Sequence, residues 1–503
     1  MEHRTQNVER RTWNIESGAH IGSTLYVLRS KKREGQLALE VIFFAAIAVI
    51  LITGFVFWAL SFLQLSVRAF NKSLSFSISE AGIEYYRWHL AHDNDDFWDG
   101  QGSTSTGPYV HSYYDKDGNG IGQFSLEITP PLSGSTIVII ESTGSVTADS
   151  SVSKVIRVKF GIPSFAKYAV AANDTMRFGA GTEVFGEIVS NGRVRFDGFA
   201  HNFVRSALPT STDTDSDACV TNVWGVHTCV APPDPSPPTP LPPRLDVFSV
   251  GREVGVPALN FVGMTQDLAD LKDTASSSGV YFPSSTYPGY ELVLKNDDTY
   301  DVYRVDTVMN PPSGCTTSSQ SGWGTWTIAS STMISSGTIP ASGIFFFEDN
   351  LWVRGQINEQ RISIGSGLFP DTASTRTSIT VNNDLTYTSY DGTDVIALIA
   401  QNNLNIGLVS EDDLRVDAAL VAQNGRVGRY YYRSPGCAPY DIRQQITSFG
   451  MIATNYRYGF AYTDDTGYDI RNLIYDGNLL YGPPPGFPLT SDNYELVSWE
   501  EVK

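Results

Sequence analysis

Residues 35–62 of this chain read GQLALEVIFFAAIAVILITGFVFWALSF. The 22 residues from Val41 to Phe62 carry no charged side chain. A helix of that length measures ~33 Å, which is enough to cross a hydrocarbon core of ~30 Å. A basic cluster stands just before it: Arg29, Lys31, Lys32 and Arg33. Because Lys and Arg favour the cytoplasmic side of a membrane, we predict a cytoplasmic N-terminus, one span over 41–62, and residues 63–503 outside.

A single acid, Glu40, stands at the start of the apolar run, five residues after Gly35. Carrying a carboxylate towards hydrocarbon costs ~2.5–3.5 kcal/mol, and a plain anchor gains nothing from it. The order of basic cluster, Gly, four residues, Glu and more than twenty apolar residues resembles the type IV prepilin signal. The resemblance implies that a prepilin peptidase cuts after Gly35 and that Gln36 becomes the methylated N-terminus. It also implies that Glu40 pairs with the terminal amine of a neighbouring pilin subunit during filament assembly.

Three features differ from a major pilin. Residue 36 is Gln where Phe or Met is preferred, the leader is long at 35 residues, and the apolar helix lacks proline. The resemblance therefore implies a minor, structural pilin-like subunit, exposed in a filament at the cell surface, at a tip for adhesion or in assembly priming. The alternative is an uncleaved single-pass anchor that carries a surface adhesin. A secretory signal peptide is disfavoured because the apolar run is too long and no small-residue cleavage site follows it.

The helical pattern continues past the membrane segment but becomes one-sided. A stripe at spacings of three and four residues runs through Leu74, Ile78, Tyr85 and Trp88, which predicts one helix over 36–92. In the pilin family, the outer half of such a helix packs on its own globular domain, and we expect the same here.

Charge and cysteine usage favour an extracellular location. The formal net charge is −19, and the leader holds seven basic and four acidic residues, so residues 36–503 carry −22. An acidic ectodomain argues against nucleic acid or anionic lipid as partners. Cys219 and Cys229 bracket a short loop, which predicts a local disulfide in an oxidising exterior. Cys315 and Cys437 pair only if the fold brings them together.

The region after the helix is predicted to be mainly β. The motif of residues 400–406 recurs at 422–428, and Asn-Gly corners with a period near 22 favour a parallel β-solenoid over a two-sheet sandwich. Residues 231–243 form a proline-rich linker. The predicted segments are a small β domain at 93–162, a solenoid at 163–206 and 343–430, an α+β insertion at 207–342, and a C-terminal cap at 431–503.

No pattern typical of an enzyme is found. Phosphate loops, dinucleotide fingerprints, nucleophile elbows and zinc-type Cys/His spacings are absent, so no catalytic residue, cofactor or metal is predicted. A glycan-active solenoid enzyme remains a lesser alternative, with acids at Asp391, Asp394, Asp412 and Asp413. Residues 115–120 match half of a calcium loop but are also typical of a hairpin turn. His89 and His92 form a further possible metal pair.

Overall fold

The computed structural model describes residues 34–131, 136–261, 264–315, 327–480, 482–487, 489 and 493–502. Residues 1–33 of the leader, which include its basic cluster, lie outside the described residues. The chain divides into two compact units, Met1–Phe70 and Asn71–Lys503. A long N-terminal apolar helix precedes a large domain of mostly parallel strands. The predicted fold class, mainly β behind one long apolar helix, is therefore confirmed.

Two α-helices are present among the described residues. Helix α1 spans Glu34–His92 and contains the predicted segment 36–92. Helix α2 spans Met264–Ser278, within the segment 207–342 that was predicted to contain both helix and strands. Two short 3₁₀ turns, Phe165–Lys167 and Gly477–Leu480, lie at the points where the chain joins and leaves the solenoid.

A small antiparallel sheet follows α1. Its strands, in spatial order, are Tyr109–Tyr114, Gly120–Thr129, Val138–Val146, Asp149–Gly161 and Glu495–Val502. The last strand comes from the C-terminus, where Leu496 pairs with Phe160 and Val502 with Val155. This differs from the predicted cap at 431–503, because the chain returns to complete the small sheet. The whole solenoid is thus inserted between the fourth and fifth strands of that sheet.

The C-terminal part of α1 packs on this sheet. Ile78, Ile83, Tyr86 and Leu90 are buried among apolar side chains of the strands. The buried stripe of the helix is shifted by about one residue from the predicted one, since Trp88 of the predicted stripe is 60% exposed. Small and polar side chains complete the buried face of the helix: Asn71, Ser75, Ser79 and Gly82. Hydrophobic periodicity overlooks such residues, although they are what lets a helix approach a sheet closely.

The solenoid consists of parallel ladders, as predicted, and not of the hairpins of a sandwich. The first ladder contains, in spatial order, Val280–Phe282, Ile344–Phe347, Arg361–Ser366, Val395–Ala400, the ends of Asp413–Ala422 and Ile442–Thr454, then Val170–Ala172, Ile188–Ser190, Val204–Ser206 and Arg252–Val254.

Two further faces complete each coil. One contains Gly289–Leu294, the start of Leu351–Ile357, Ile379–Thr380, Leu404–Ile406 and Val427–Arg429, with a separate three-stranded set of Met176–Phe178, Val194–Phe196 and Val226–His227. The other contains the end of Leu351–Ile357, Leu385–Tyr387, the starts of Asp413–Ala422 and Ile442–Thr454, Gly467–Tyr475, Thr182–Phe185 and Phe199–Ala200. Antiparallel strands are added at Thr299–Val308, Ile328–Thr338, Thr210–Thr212 and Asn222–Trp224.

The chain joins the solenoid in its middle. Val170 pairs with Ile452, so the first coil in sequence lies beside one of the last. From there the coils advance to Arg252–Val254 at one end, and the chain then resumes at Val280–Phe282 at the other. The predicted insertion 207–342 differs from this layout, because both of those strands belong to the main ladder.

The connection between Arg252–Val254 and Val280–Phe282, which contains α2, covers the outer side of the first ladder. Leu268, Leu271 and Ala275 of α2 share a buried cluster with Phe346 and Ala397. The inner side faces the main core, which includes Ile396, Leu398 and Ala400. A parallel sheet buried on both sides requires apolar side chains at successive positions, which explains the uninterrupted run Val395–Ala400.

Several tyrosines in and next to the predicted cap 431–503 are packed inside the protein. Tyr430, Tyr432 and Tyr458 are buried, whereas Tyr456 is exposed. The buried guanidinium of Arg429 lies against the Tyr432 ring at 4.7 Å and donates hydrogen bonds to backbone carbonyl oxygens nearby. These buried rings therefore pack within the protein, as side chains of a cap would.

Candidate functional site

The N-terminal part of α1 presents an unbroken apolar surface. Every residue from Leu37 to Phe70 is exposed, and Glu40 and Arg68 are its only charged residues. Among the described helices, α1 is the one long and apolar enough to cross a membrane. Apolar surface of this extent is typical of a membrane or protein interface. The helix therefore suggests a membrane anchor.

The three predicted processing and assembly residues lie at the start of this helix. Gly35 and Gln36 are within its first turn, and Glu40 follows in the next. Glu40 is exposed and makes no hydrogen bond or ion pair within the described part of the chain. Its carboxylate is thus available for a partner outside this subunit.

The far end of α1 is fixed to the loop that follows it. Tyr85 Oη donates to Asp99 Oδ1 (3.1 Å), and Tyr86 Oη donates to the Asp96 carbonyl oxygen (2.9 Å). Burial, followed by the Asp99 carboxylate, raises the pKa of Tyr85 to about 12. His89 lies 3.1 Å from Asp96, whereas the His92 ring contacts the Trp88 carbonyl of its own helix. The two histidines therefore have separate partners.

The segment 115–120 forms the hairpin turn that was one of its two interpretations. Asp115 Oδ1 accepts hydrogen bonds from the backbone N–H groups of Asp117 (2.9 Å) and Asn119 (2.8 Å). The side chain of Asn119 donates to Oδ2, and these bonds lower the pKa of Asp115. The carboxylate that would open a calcium loop is thus used by the turn.

The four acids considered for glycan chemistry support the backbone of the solenoid. Asp394 is buried and accepts from the N–H groups of Gln360, Thr388 and Ser389. Asp391 accepts from Thr393. Asp412 and Asp413 contact Gln444 and Gln445 across a strand pair. Each of these carboxylates thus has a local partner in its own coil or in the neighbouring one.

All four cysteines are disulfide-bonded. The predicted Cys219–Cys229 bond is present, and Cys315 pairs with Cys437 across 122 residues. Cys219 is exposed, whereas Cys315 and Cys437 are buried. The second bond could not be deduced from the sequence, because it depends on how the coils stack.

A buried charged cluster lies beside the Cys219–Cys229 bond. Asp213 contacts Arg193 directly, and its Oδ2 lies 3.2 Å from His227 Nε2. Arg195 Nε donates to Asp197 (2.7 Å). Burial lowers the pKa of His227 despite the opposing effect of Asp213. Oxygen, nitrogen and sulfur atoms of Asp213, His227 and Cys229 lie within 4.8 Å of one another. Spacing rules missed this set because Asp213 lies 14 residues before His227 and only the fold brings the two together.

Comparison with known proteins gives structural likenesses but no match by sequence. No protein-family model and no curated protein matches the chain. The crystal structure of the competence-associated pilin ComZ from Thermus thermophilus matches 86% of this chain and 97% of that one. The two share 11% sequence identity, with a TM-score of 0.32. A score of this size does not establish a shared fold over the matched length, so the functional proposal depends on the residues of this chain.

Proposed function

We propose that this chain is a minor pilin-like subunit of a type IV pilus or related filament. Prepilin peptidase cuts it after Gly35, and the N-terminal helix then passes from the membrane into contact with the helices of other pilin subunits. The observation that supports this proposal most strongly is the exposed apolar surface of α1, with Glu40 as its only acid. A neighbour's terminal amine at contact with this carboxylate would offset part of the desolvation cost of both groups.

The arrangement of the outer region supports the same function. The C-terminal part of α1 packs on the small sheet, as the outer half of a pilin helix packs on its own globular domain. The solenoid is inserted between two neighbouring strands of the sheet, Asp149–Gly161 and Glu495–Val502. Such an insertion enlarges the exposed part of the subunit without changing the helix that assembles. The role of the solenoid is display at the cell surface, for adhesion or assembly priming.

Processing is tested by the N-terminus of the mature protein. In cells with an active prepilin peptidase, we expect protein extracted from membranes to begin at Gln36 and to carry a methyl group on its amine. Mass spectrometry of the N-terminal peptide measures both features. A Gly35→Val variant, which blocks the cut, serves as the control and should retain residues 1–35. An intact leader on the unaltered protein would instead support the single-pass anchor.

A further inference from the structure

His227, a buried residue beside the Cys219–Cys229 bond, has one ring nitrogen that is free to bind a ligand. His227 is 1% exposed. Its Nε2 faces Asp213 Oδ2 at 3.2 Å, while its Nδ1 has no hydrogen-bond partner among the described residues. A carboxylate held by Arg193 can only accept a hydrogen bond, so Nε2 carries the proton and Nδ1 keeps a lone pair.

This pairing is the one that metal-binding histidines use. A histidine that binds a metal through one nitrogen commonly donates its other N–H to a carboxylate, which fixes the tautomer and the ring orientation. Asp213 provides that carboxylate, and Arg193 in turn fixes Asp213. One ligand atom each from Asp213, His227 and Cys229 already lies within 4.8 Å of the other two, with either ring nitrogen counted for His227. The sulfur of Cys219 is bonded to that of Cys229, so it belongs to the same group.

We propose that Cys219, Cys229 and His227, with Asp213 orienting the imidazole ring, form a zinc site that opens when the disulfide is reduced. A small dithiol gives two electrons and two protons to the Cys219–Cys229 bond and leaves as its own cyclic disulfide. Zn²⁺ then displaces the two thiol protons, and two Zn–S bonds of ~2.3 Å form. The closed disulfide excludes the metal, because both sulfurs are then occupied by each other.

The charges around the site are compatible with this exchange. Two thiolates neutralise Zn²⁺, so a neutral metal centre replaces a neutral disulfide. The nearby arginines keep their own acids, since Arg193 remains with Asp213 and Arg195 with Asp197. The backbone N–H of Cys229 donates to Asp197 Oδ1 at 2.8 Å, and this bond holds Cys229 in place when the disulfide is open.

The Cys219–Cys229 and Cys315–Cys437 bonds differ in their exposure to solvent. Cys219 is exposed on the loop between Thr210–Thr212 and Asn222–Trp224, so a reductant can reach its sulfur. Cys315 and Cys437 are 5% and 0% exposed. Mild reduction should therefore open the Cys219–Cys229 bond first, and the exposed loop can move the short distance that tetrahedral zinc requires.

The experiment uses the full chain in detergent, reduced with a small dithiol and desalted without oxygen. We expect one Zn²⁺ per reduced chain and none in the unreduced protein, and Co²⁺ should give thiolate-to-metal absorption. Bound zinc should also protect Cys219 and Cys229 from alkylation, mapped by mass spectrometry. His227→Gln should weaken zinc binding by at least about tenfold. His201→Gln, which alters a half-buried histidine 3.2 Å from Glu183, is the matched control and should leave binding unchanged.

Three results would overturn the proposal. These are a reduced protein that binds no zinc, thiols alkylated equally fast with and without zinc, and a folded His227→Gln variant that binds like the unaltered chain. If His227→Gln does not fold, a Cys219→Ser/Cys229→Ser double variant is used to test the proposal instead. That variant mimics the open loop without thiolates and should bind no zinc. Zinc bound by it at the level of the reduced protein would equally contradict the site.

Discussion

Replacing Glu40 with Ala is expected to remove the protein from filaments while leaving it in the membrane. The substitution takes the one acid out of the exposed apolar surface Leu37–Phe70. Insertion should therefore be unchanged or slightly improved, because a carboxylate near hydrocarbon is unfavourable. In a filament, however, the amine of the neighbouring subunit would lose its counter-charge in a medium of low dielectric constant.

The size of this effect follows from the cost of an unpaired buried charge. Removing one partner of such a pair costs about 3–5 kcal/mol, and each 1.4 kcal/mol is a factor of about ten in an equilibrium constant. Even with partial hydration of the amine, we expect incorporation into filaments to fall by at least about tenfold. Quantitative immunoblots of membrane fractions and of sheared surface filaments from the same cells measure the two effects together.

A matched control separates charge pairing from a general loss of negative charge. Glu80 lies on the same helix, is exposed, and stands beyond the apolar surface. Glu80→Ala should enter both fractions like the unaltered protein. If Glu40→Ala protein enters filaments at that same level, the assembly role of Glu40 is wrong, although cleavage after Gly35 could still occur. A plain anchor predicts this second outcome.

The sequence predicted the features that depend on neighbouring residues. The long apolar run and the stripe beyond it predicted helix α1, the turn chemistry around Asp115 predicted the first hairpin, and short spacing predicted the Cys219–Cys229 bond. Repeated corners near residues 400–428 indicated stacked coils, and the parallel ladders there confirm the solenoid. In each case a local pattern carries the physical cause of the structure.

Features that depend on distant pairing could not be predicted in this way. Nothing within Glu495–Val502 indicates that it completes a sheet begun nearly four hundred residues earlier. Strand pairing alone also places Val170 beside Ile452, in the middle of the ladder. The His227 site arises for the same reason, because Asp213 follows the strand Thr210–Thr212, His227 ends the strand Val226–His227, and only the fold brings their side chains together. Periodicity describes which side of an element is buried but not which element covers it.

The buried face of α1 shows a second limit of periodicity and leads to a test of how the helix is held. Gly144 lies in the strand Val138–Val146, opposite Ser75 and Ser79. A methyl group built on Gly144 would lie 2.2 Å from the carbonyl oxygen of Ser75 and 2.5 Å from the backbone nitrogen of Ser79. Both atoms belong to the helix backbone, so no side chain can rotate away. The helix approaches the sheet at this point because the strand has no Cβ there.

Gly144→Ala is therefore expected to push α1 away from the small sheet. Overpacking of this kind costs typically about 1–3 kcal/mol, and we expect the upper end because the obstacle is backbone. Hydrogen exchange should accelerate by about a hundredfold in peptides from residues 71–92 and from the small sheet. Peptides from the solenoid ladder serve as an internal reference and should be unchanged.

Gly120→Ala supplies the matched control for this substitution. Gly120 lies in the same sheet, and its new methyl group would meet only the Tyr114 ring, at 3.8 Å, an ordinary contact distance. Exchange in that variant should resemble the unaltered protein. If the two alanine variants exchange alike, close contact between helix and strand does not hold α1 in place. If only Gly144→Ala loosens the helix, close contact with the strand is what holds residues 71–92 against the small sheet.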